Sequence, residues 1–181
     1  ADGIIISQTR PDDARVRYMT EHGFPFATHG RTDMGLDHPW HDFDNFTFAR
    51  LAIDRLVAAG RRRIALLAPS SALTYNRHMT AGFAEGISER GITEAPFRTA
   101  WVDQPIDEIR RHAINLVQRT ARPDGIISGS GSAAFALVNA IEESGLKLGV
   151  DIDVVTKQSS QLVHMFRREL FVVDEDFRLA G

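Results

Sequence analysis

The 181-residue chain contains no cysteine, which removes disulfides, thiolate metal sites and a cysteine nucleophile and leaves the redox compartment open. No run of about 18 apolar residues appears, so no bilayer-spanning helix is expected. No signal-peptide pattern opens the chain either. Basic charge is not in excess: 21 Lys and Arg against 24 Asp and Glu give a net charge of −3, which advertises neither nucleic acid nor an anionic membrane. Arg61-Arg62-Arg63 is the only basic run, and it reads as a solvated corner between a helix and a strand. No G-x-S-x-G elbow is present and no serine stands with an evident base, so a hydrolase triad has no support. What the chain does have is 43% hydrophobic residues, enough to bury a core as one domain or as two small lobes.

The stretch 123–155 spells a complete βαβ unit. Gly125-Ile126-Ile127 is a short apolar run suited to a parallel strand buried on both faces. Gly129-Ser130-Gly131-Ser132 tolerates a tight turn, and Ser132 can accept from the first free N–H groups of a helix. That helix is expected over 133–144, with Ala134, Phe135, Leu137, Val138 and Ile141 as its apolar stripe, and Gly145 suits a left-handed cap. A second strand is expected at 152–155. The turn also matches the dinucleotide fingerprint G-x-G-x-x-G/A over 129–134. In that fold an acid closes the second strand, whereas Asp151 and Asp153 open this one and Thr156-Lys157-Gln158 ends it. A Rossmann-like oxidoreductase is therefore the competing reading of the turn. Phosphate at the helix start is physically reasonable, beside the plainer reading of an ordinary capped helix.

Asp2-Gly3-Ile4-Ile5-Ile6-Ser7 nearly repeats Asp124-Gly125-Ile126-Ile127-Ser128, and a turn, a helix over 12–22, Gly23 and a strand over 24–28 follow it. Two copies imply two similar α/β halves. Between them, 31–42 reads as an irregular connection, Asp44 or Asn45 as the cap of a helix running to Ala59, and 64–68 as a buried strand. Further on, a helix passes through Met79, Phe83 and Ile87 to Gly91, a strand is expected over 97–102 and a helix over 106–120. Phe171-Val172-Val173 reads as a strand and Asp174 as a helix cap. The abrupt ends suggest a piece of a longer protein.

In open parallel sheets, ligands sit beyond the carboxyl ends of the strands. That rule selects the loops 29–31, 69–77, 101–103, 128–132 and 156–160 and turns all five toward one cleft. Arg31 and Arg77 follow polar loops at strand ends, where guanidinium forks hold hydroxyl pairs or carboxylates, and Tyr75, Trp101 and Phe177 can stack on a sugar face. Solvated arginines and packed aromatics are the plainer alternative for each. The run 37–44 gathers two histidines with Asp37, Asp42 and Asp44; it suits a metal in residue type but lacks a strict ligand motif and reads as a polar connection ending in a helix cap.

In this order the chain resembles the effector-binding core of the lactose-repressor/galactose-repressor (LacI/GalR) family of bacterial transcription regulators. The matching pieces are Asp2-Gly3-Ile4-Ile5, Phe24-Pro25-Phe26, Asp44-Asn45, Leu56-Val57-Ala58-Ala59-Gly60 and Arg62-Arg63-Ile64-Ala65-Leu66-Leu67. They continue with Ala81-Gly82-Phe83, Pro123-Asp124-Gly125-Ile126-Ile127, the stretch 140–149 from Ala140 to Gly149, and Asp176-Phe177-Arg178-Leu179. The resemblance implies an α/β fold of two Rossmann-like lobes with parallel sheets, type I periplasmic-binding-protein-like, with an incomplete N-terminal lobe. The implied division is 1–42 in the N-terminal lobe, 43–160 as the C-terminal lobe, and 161–181 as crossover and return to the N-terminal lobe.

The resemblance further implies a small effector, commonly a carbohydrate or nucleobase, in the interlobe cleft, and a homodimer that reaches operator DNA only through an N-terminal headpiece absent from this stretch. A cytoplasmic sensor is implied, with no membrane partner, no catalysis, no cofactor and no metal. Residues at family pocket positions are Tyr75, Trp101, Ser130, Gln158 and Phe177, with Gly131 in the same turn and Arg31 and Arg77 as neighbours. The departures lie in the ligand loops. Ser130-Gly131 stands for the usual Asn-Asp, Gln158 for an acid, and Met79 for an arginine, so the ligand does not carry over. A periplasmic sugar-binding protein of the same architecture is the alternative closest in fold.

Overall fold

The structure, a computed structural model, describes residues 2–158 and 162–175. The side chains of Gln158 and His164 are outside that description. Every strand pairing in it is parallel. The smaller sheet has the order β1 (Ile4–Ser7), β2 (Phe26–His29), β3 (Trp40–His41). The larger has the order β5 (Thr93–Glu94), β4 (Arg63–Leu67), β6 (Gly125–Ser128), β7 (Asp153–Gln158), β8 (Phe171–Asp174). Parallel neighbours need crossovers. The helices α1 (Ala14–Glu21), α2 (Asn45–Ala58), α3 (Thr74–Arg90), α4 (Ile106–Val117) and α5 (Gly131–Glu143) lie between strands in the chain. A short α6 (Leu162–Phe166) precedes β8. No helix among the described residues is long and apolar enough to cross a membrane.

Period-2 alternation builds the larger lobe. Ile126 and Val154 point to a core formed with α4 and α5, and Ile127 and Val155 to one formed with α2 and α3. Both faces of β6 are thereby buried, as an apolar parallel strand requires. The α2 and α3 helices pack closely because Gly82 and Gly86, one turn apart, present no side chain. A Cβ on Gly82 would collide with the Phe46 carbonyl oxygen, and one on Gly86 would lie 2.6 Å from Ile53 Cδ1. Asp44 caps α2 by accepting from the Thr47 N–H at 2.9 Å, and Gly91 ends α3 at φ +60°, where a left-handed residue closes the last turn.

The structure differs from the sequence reading at several points. No strand forms over the expected 97–102; the two-residue β5 lies just before it. Ala95 N–H still donates to Ile64 O (2.8 Å) and Val102 N–H to Ala68 O (3.0 Å), but Pro96 has no N–H for the ladder and the chain between bulges away. The connection 31–42 contains β3, paired with Thr28 and His29. Ser132 is not the cap of α5: the helix starts at Gly131, and Ser130 holds the N-cap position in extended backbone without a side-chain cap bond. Asp174 ends β8, and the helix expected after it lies outside the described residues. The segment 171–174, expected within the return to the N-terminal lobe, is the end strand of the larger sheet among the described residues, with Val172 packed against one core and Phe171 and Val173 against the other.

The arginine corner is anchored rather than merely solvated. Arg61 Nε meets Asp153 Oδ2 at 2.7 Å with side chains only 17% and 5% exposed, and Asp124 accepts from the backbone N–H groups of Arg62 and Arg63.

Candidate functional site

The carboxyl ends of both sheets open on one cleft of about 430 Å³, within the ~300–1,000 Å³ range of small-molecule sites. The smaller lobe supplies Ser7 and Gln8 after β1, His29 and Gly30 at the end of β2, and Asp42 and Phe43 after β3. The larger lobe supplies Asn45, Tyr75, Val102 and Asp103, Gly129 and Ser130 after β6, Lys157 on β7, and Glu175 after β8.

The rim turn at Gln8 is held in place. Gln8 has φ +53°, a left-handed conformation that costs a non-glycine residue about 1 kcal/mol or more. Arg15 Nη2 donates to Ser7 O at 3.2 Å and Gln8 O at 3.1 Å, and to Asp13 Oδ2 at 2.7 Å. Asp13 also caps α1 by accepting from the Arg15 N–H. The Arg15 guanidinium, helped by the backbone N–H groups of Arg10 and Arg15, holds the Asp13 carboxyl down at about 2 against the opposing effect of burial.

Across the cleft, Ser128 Oγ donates to Ser130 O at 2.8 Å, and Ser130 Oγ lies 2.9 Å from Ser132 Oγ. Gly129 suits the close packing here, since a Cβ would sit 3.1 Å from both Met79 Sδ and Pro69 Cδ. Met79, which stands where the family pattern has an arginine, is fully buried in the core beneath this turn. The two lobes are pinned behind the cleft by Thr9 O, which accepts from Thr74 N–H (3.0 Å) and Oγ1 (3.2 Å); both threonines are buried.

Lys157 is the most buried cation in the cleft wall, its side chain 13% exposed. Its Nζ donates to Asn45 Oδ1 at 2.9 Å, lies 3.8 Å from Glu175 Oε2, and stands 5.0 Å and 5.6 Å from the ring centres of Phe43 and Tyr75. Burial lowers its pKa from the ordinary lysine value, while Glu175, Asp42 and Asp103 act in the opposite direction. The Tyr75 hydroxyl is pushed up to about 12 by burial and by Asp103 and Glu175, so it stays a neutral donor. The wall thus offers a cation, neutral hydroxyls, carboxylates and two aromatic faces, the mixture that polar ring ligands use.

Of the residues selected from sequence, Tyr75 and Ser130 line this cleft, and Gly131 follows Ser130 as the first residue of α5. Arg31 does not line it: its Nε pairs with Asp42 Oδ2 at 3.0 Å and its guanidinium lies over Trp40. Arg77 pairs with Asp33 at 2.8 Å beside a separate recess. Trp101 belongs to a groove beside α3, with Phe83 and Phe97. Gln158 ends β7 in backbone; its side chain, and the whole of Phe177, lie outside the described residues.

Sequence reading missed Lys157, Asn45, Asp42, Phe43, Asp103 and Glu175. A signal for Lys157 existed. Only Lys147 and Lys157 are lysines in the chain, and two-residue alternation puts Lys157 on the face of β7 that carries Val155, toward α2. In the run 37–44, Asp44 caps α2, Asp42 binds Arg31, and His38 stacks on Phe26. No three His, Asp or Glu among the described residues are gathered as a metal site would require.

Two lobes of parallel sheet joined around such a cleft define the type I periplasmic-binding-protein-like class. The chain belongs to the family of periplasmic binding protein-like domains, which it matches over residues 53–181. Its relatives place it, more particularly, with the effector-binding cores of LacI/GalR-type regulators. It is similar to the HTH-type transcriptional regulator AglR of Rhizobium meliloti strain 1021, 27% identical over 173 residues that make up 95% of this chain and 48% of that protein. It is also similar to the HTH-type transcriptional regulator RafR of Escherichia coli, 33% identical over 141 residues, 73% of this chain and 40% of that protein. The chain therefore spans about half the length of such relatives, or less. In fold it matches a LacI-family regulatory protein from Chloroflexus aggregans (TM-score 0.87, 24% identity, 100% of this chain and 65% of the other). It likewise matches the transcriptional regulator CelR in complex with cellobiose (TM-score 0.85, 23% identity, 100% and 56%).

Proposed function

We propose that this chain is the ligand-sensing core of a transcription regulator, not an enzyme, and that a small carbohydrate bound between its lobes alters the DNA affinity of a headpiece elsewhere in the protein. The observation that carries this reading is the cleft itself: both sheets end on it, Tyr75 and Phe43 offer aromatic faces, and Lys157, Ser130, Asp103 and Glu175 offer donors and acceptors. The regulatory names of the relatives and the cellobiose bound to CelR support it; they also favour a regulator over a periplasmic transport protein. We assign effector contact to Tyr75, Ser130, Gly131 and Lys157, with Gln158 and Phe177 as further contacts. Arg31, Arg77 and Trp101, which do not line this cleft, are left out of that set. The intact protein is a cytoplasmic homodimer in this reading.

A ligand that touches Ser7 and Gln8 on one lobe and Ser130 and Lys157 on the other favours one interlobe geometry, and only such differential affinity can shift an equilibrium. Linkage of this kind is ordinarily worth about 1–3 kcal/mol, or about 5- to 150-fold in affinity. The test is a titration of the full-length protein on its operator across a panel of sugars. A shift of that size with at least one sugar is the expected result; sugars that bind yet leave DNA affinity unchanged would overturn the regulatory reading.

A further inference from the structure

The charges around Lys157 narrow the ligand class, given the carbohydrate reading above. An ammonium carries three N–H donors. Among the described residues one is taken by Asn45 Oδ1 at 2.9 Å, and Glu175 Oε2, at 3.8 Å, is beyond hydrogen-bond length. The remaining donors face the cleft. Phe43 and Tyr75 flank the ammonium and restrict water's approach to it. Three carboxylates line the same cleft and act on Lys157. Asp42 is already engaged by Arg31, Asp103 accepts from the Ser70 N–H at 3.2 Å, and Glu175 lies near His29 Nε2 at 3.8 Å.

One formal positive charge against three negative ones leaves this wall at −2, or −1 with the Arg31 partner of Asp42 included. An anionic ligand gains Lys157 but meets the carboxylates in a partly dehydrated space, where like charges repel strongly. A cationic ligand gains the carboxylates but meets Lys157. A neutral polyhydroxyl ligand satisfies both: an oxygen accepts from the ammonium while its O–H groups donate to carboxylates, leaving no buried group unpaired.

We propose that Lys157 and the carboxylates around it make the cleft selective for an uncharged polyhydroxyl ligand and against its phosphorylated or carboxylated counterparts. Lys157 donates to one ligand oxygen, and Asp103 and Glu175 accept from ligand hydroxyls. Lys157 is the specificity-determining residue of the cleft, fixed in place by Asn45.

The test is calorimetric titration of the full-length protein with matched pairs: cellobiose and cellobionate, maltose and maltose 6′-phosphate. The uncharged member of at least one pair binds at least about tenfold tighter than its anionic partner. Lys157→Met weakens that neutral ligand by about 10- to 100-fold, measured on protein whose folding is checked by its melting temperature. Glu175→Gln, which removes one negative charge, narrows the neutral-to-anionic ratio and serves as the second readout if Lys157→Met fails to fold. An anionic member that binds as tightly as its neutral partner overturns the charge rule while leaving the carbohydrate reading intact. An unchanged ratio in Glu175→Gln, or unchanged neutral affinity in Lys157→Met, overturns it too. If neither member of any pair binds, the carbohydrate reading falls and this inference with it.

Discussion

Asp2-Gly3-Ile4-Ile5 and Asp124-Gly125-Ile126-Ile127 are the same four residues in two very different surroundings. In the larger lobe they lead into β6, hydrogen-bonded to β4 on one side and β7 on the other, with Ile126 and Ile127 fully buried between two layers of helices. In the smaller lobe they lead into β1, at the end of the three-stranded sheet among the described residues, with Ile5 79% exposed. Asp124 organises the neighbouring strand through the N–H groups of Arg62 and Arg63, whereas Asp2 is exposed and makes no side-chain hydrogen bond to the described residues. The tetrapeptide encodes a strand and the turn after it; its neighbours decide what that strand contributes to stability. Both copies deliver a turn to the cleft all the same, Ser7-Gln8 from one and Gly129-Ser130 from the other.

The sharpest way to break this comparison is to truncate the same isoleucine in each copy. Ile127→Ala destabilises by about 2–5 kcal/mol, the usual cost of a large core truncation, and Ile5→Ala by less than about 0.5 kcal/mol, as for exposed sites. Denaturant unfolding of the two variants checks this; similar losses would mean that Ile5 is covered in the intact protein. Next in size is the aspartate pair. Asp124→Ala leaves two backbone donors without their charged acceptor and costs about 1–3 kcal/mol, while Asp2→Ala stays within about 0.5 kcal/mol.

The smallest effect depends on pH and sharpens the comparison from the smaller lobe's side. Asp13, held at about 2 by Arg15, has a folded value below its ordinary 3.8. Its contribution is complete above the ordinary value and lost as pH falls through about 2. The melting temperature of wild type minus that of Asp13→Asn is therefore positive at pH 5 and shrinks toward zero between about pH 4 and pH 2. A difference independent of pH would place the stabilisation elsewhere.

Much of the fold was legible because its signals are local. Gly91 and Gly145 sit at helix ends with positive φ, Asp44 caps α2, and the apolar runs at β4 and β6 are doubly buried strands. The bulge at 95–101 was not legible, because Phe97, Thr99 and Val102 favour a strand while a single proline breaks the ladder. β3 was hidden for the opposite reason: Trp40 and His41 pair for only two residues, too few for a period. At the site, strand-end logic brought the right loops together, and Tyr75, Ser130, Val102, Asp103 and Lys157 all meet in the cleft. Choosing side chains within those loops is a different problem. Arg31 and Arg77 find carboxylates at Asp42 and Asp33, contacts between residues 11 and 44 positions apart that no spacing rule specifies. Lys157 owes its place to Asn45, 112 residues away.

The central claim is that one ligand engages both lobes at once. Hydrogen–deuterium exchange of the full-length protein, with and without a saturating uncharged disaccharide, tests it most directly. Slowed exchange is expected together at 7–9 and 29–31 of the smaller lobe and at 101–104, 129–131 and 157–158 of the larger one. Protection confined to a single lobe, or falling outside these turns, would contradict it.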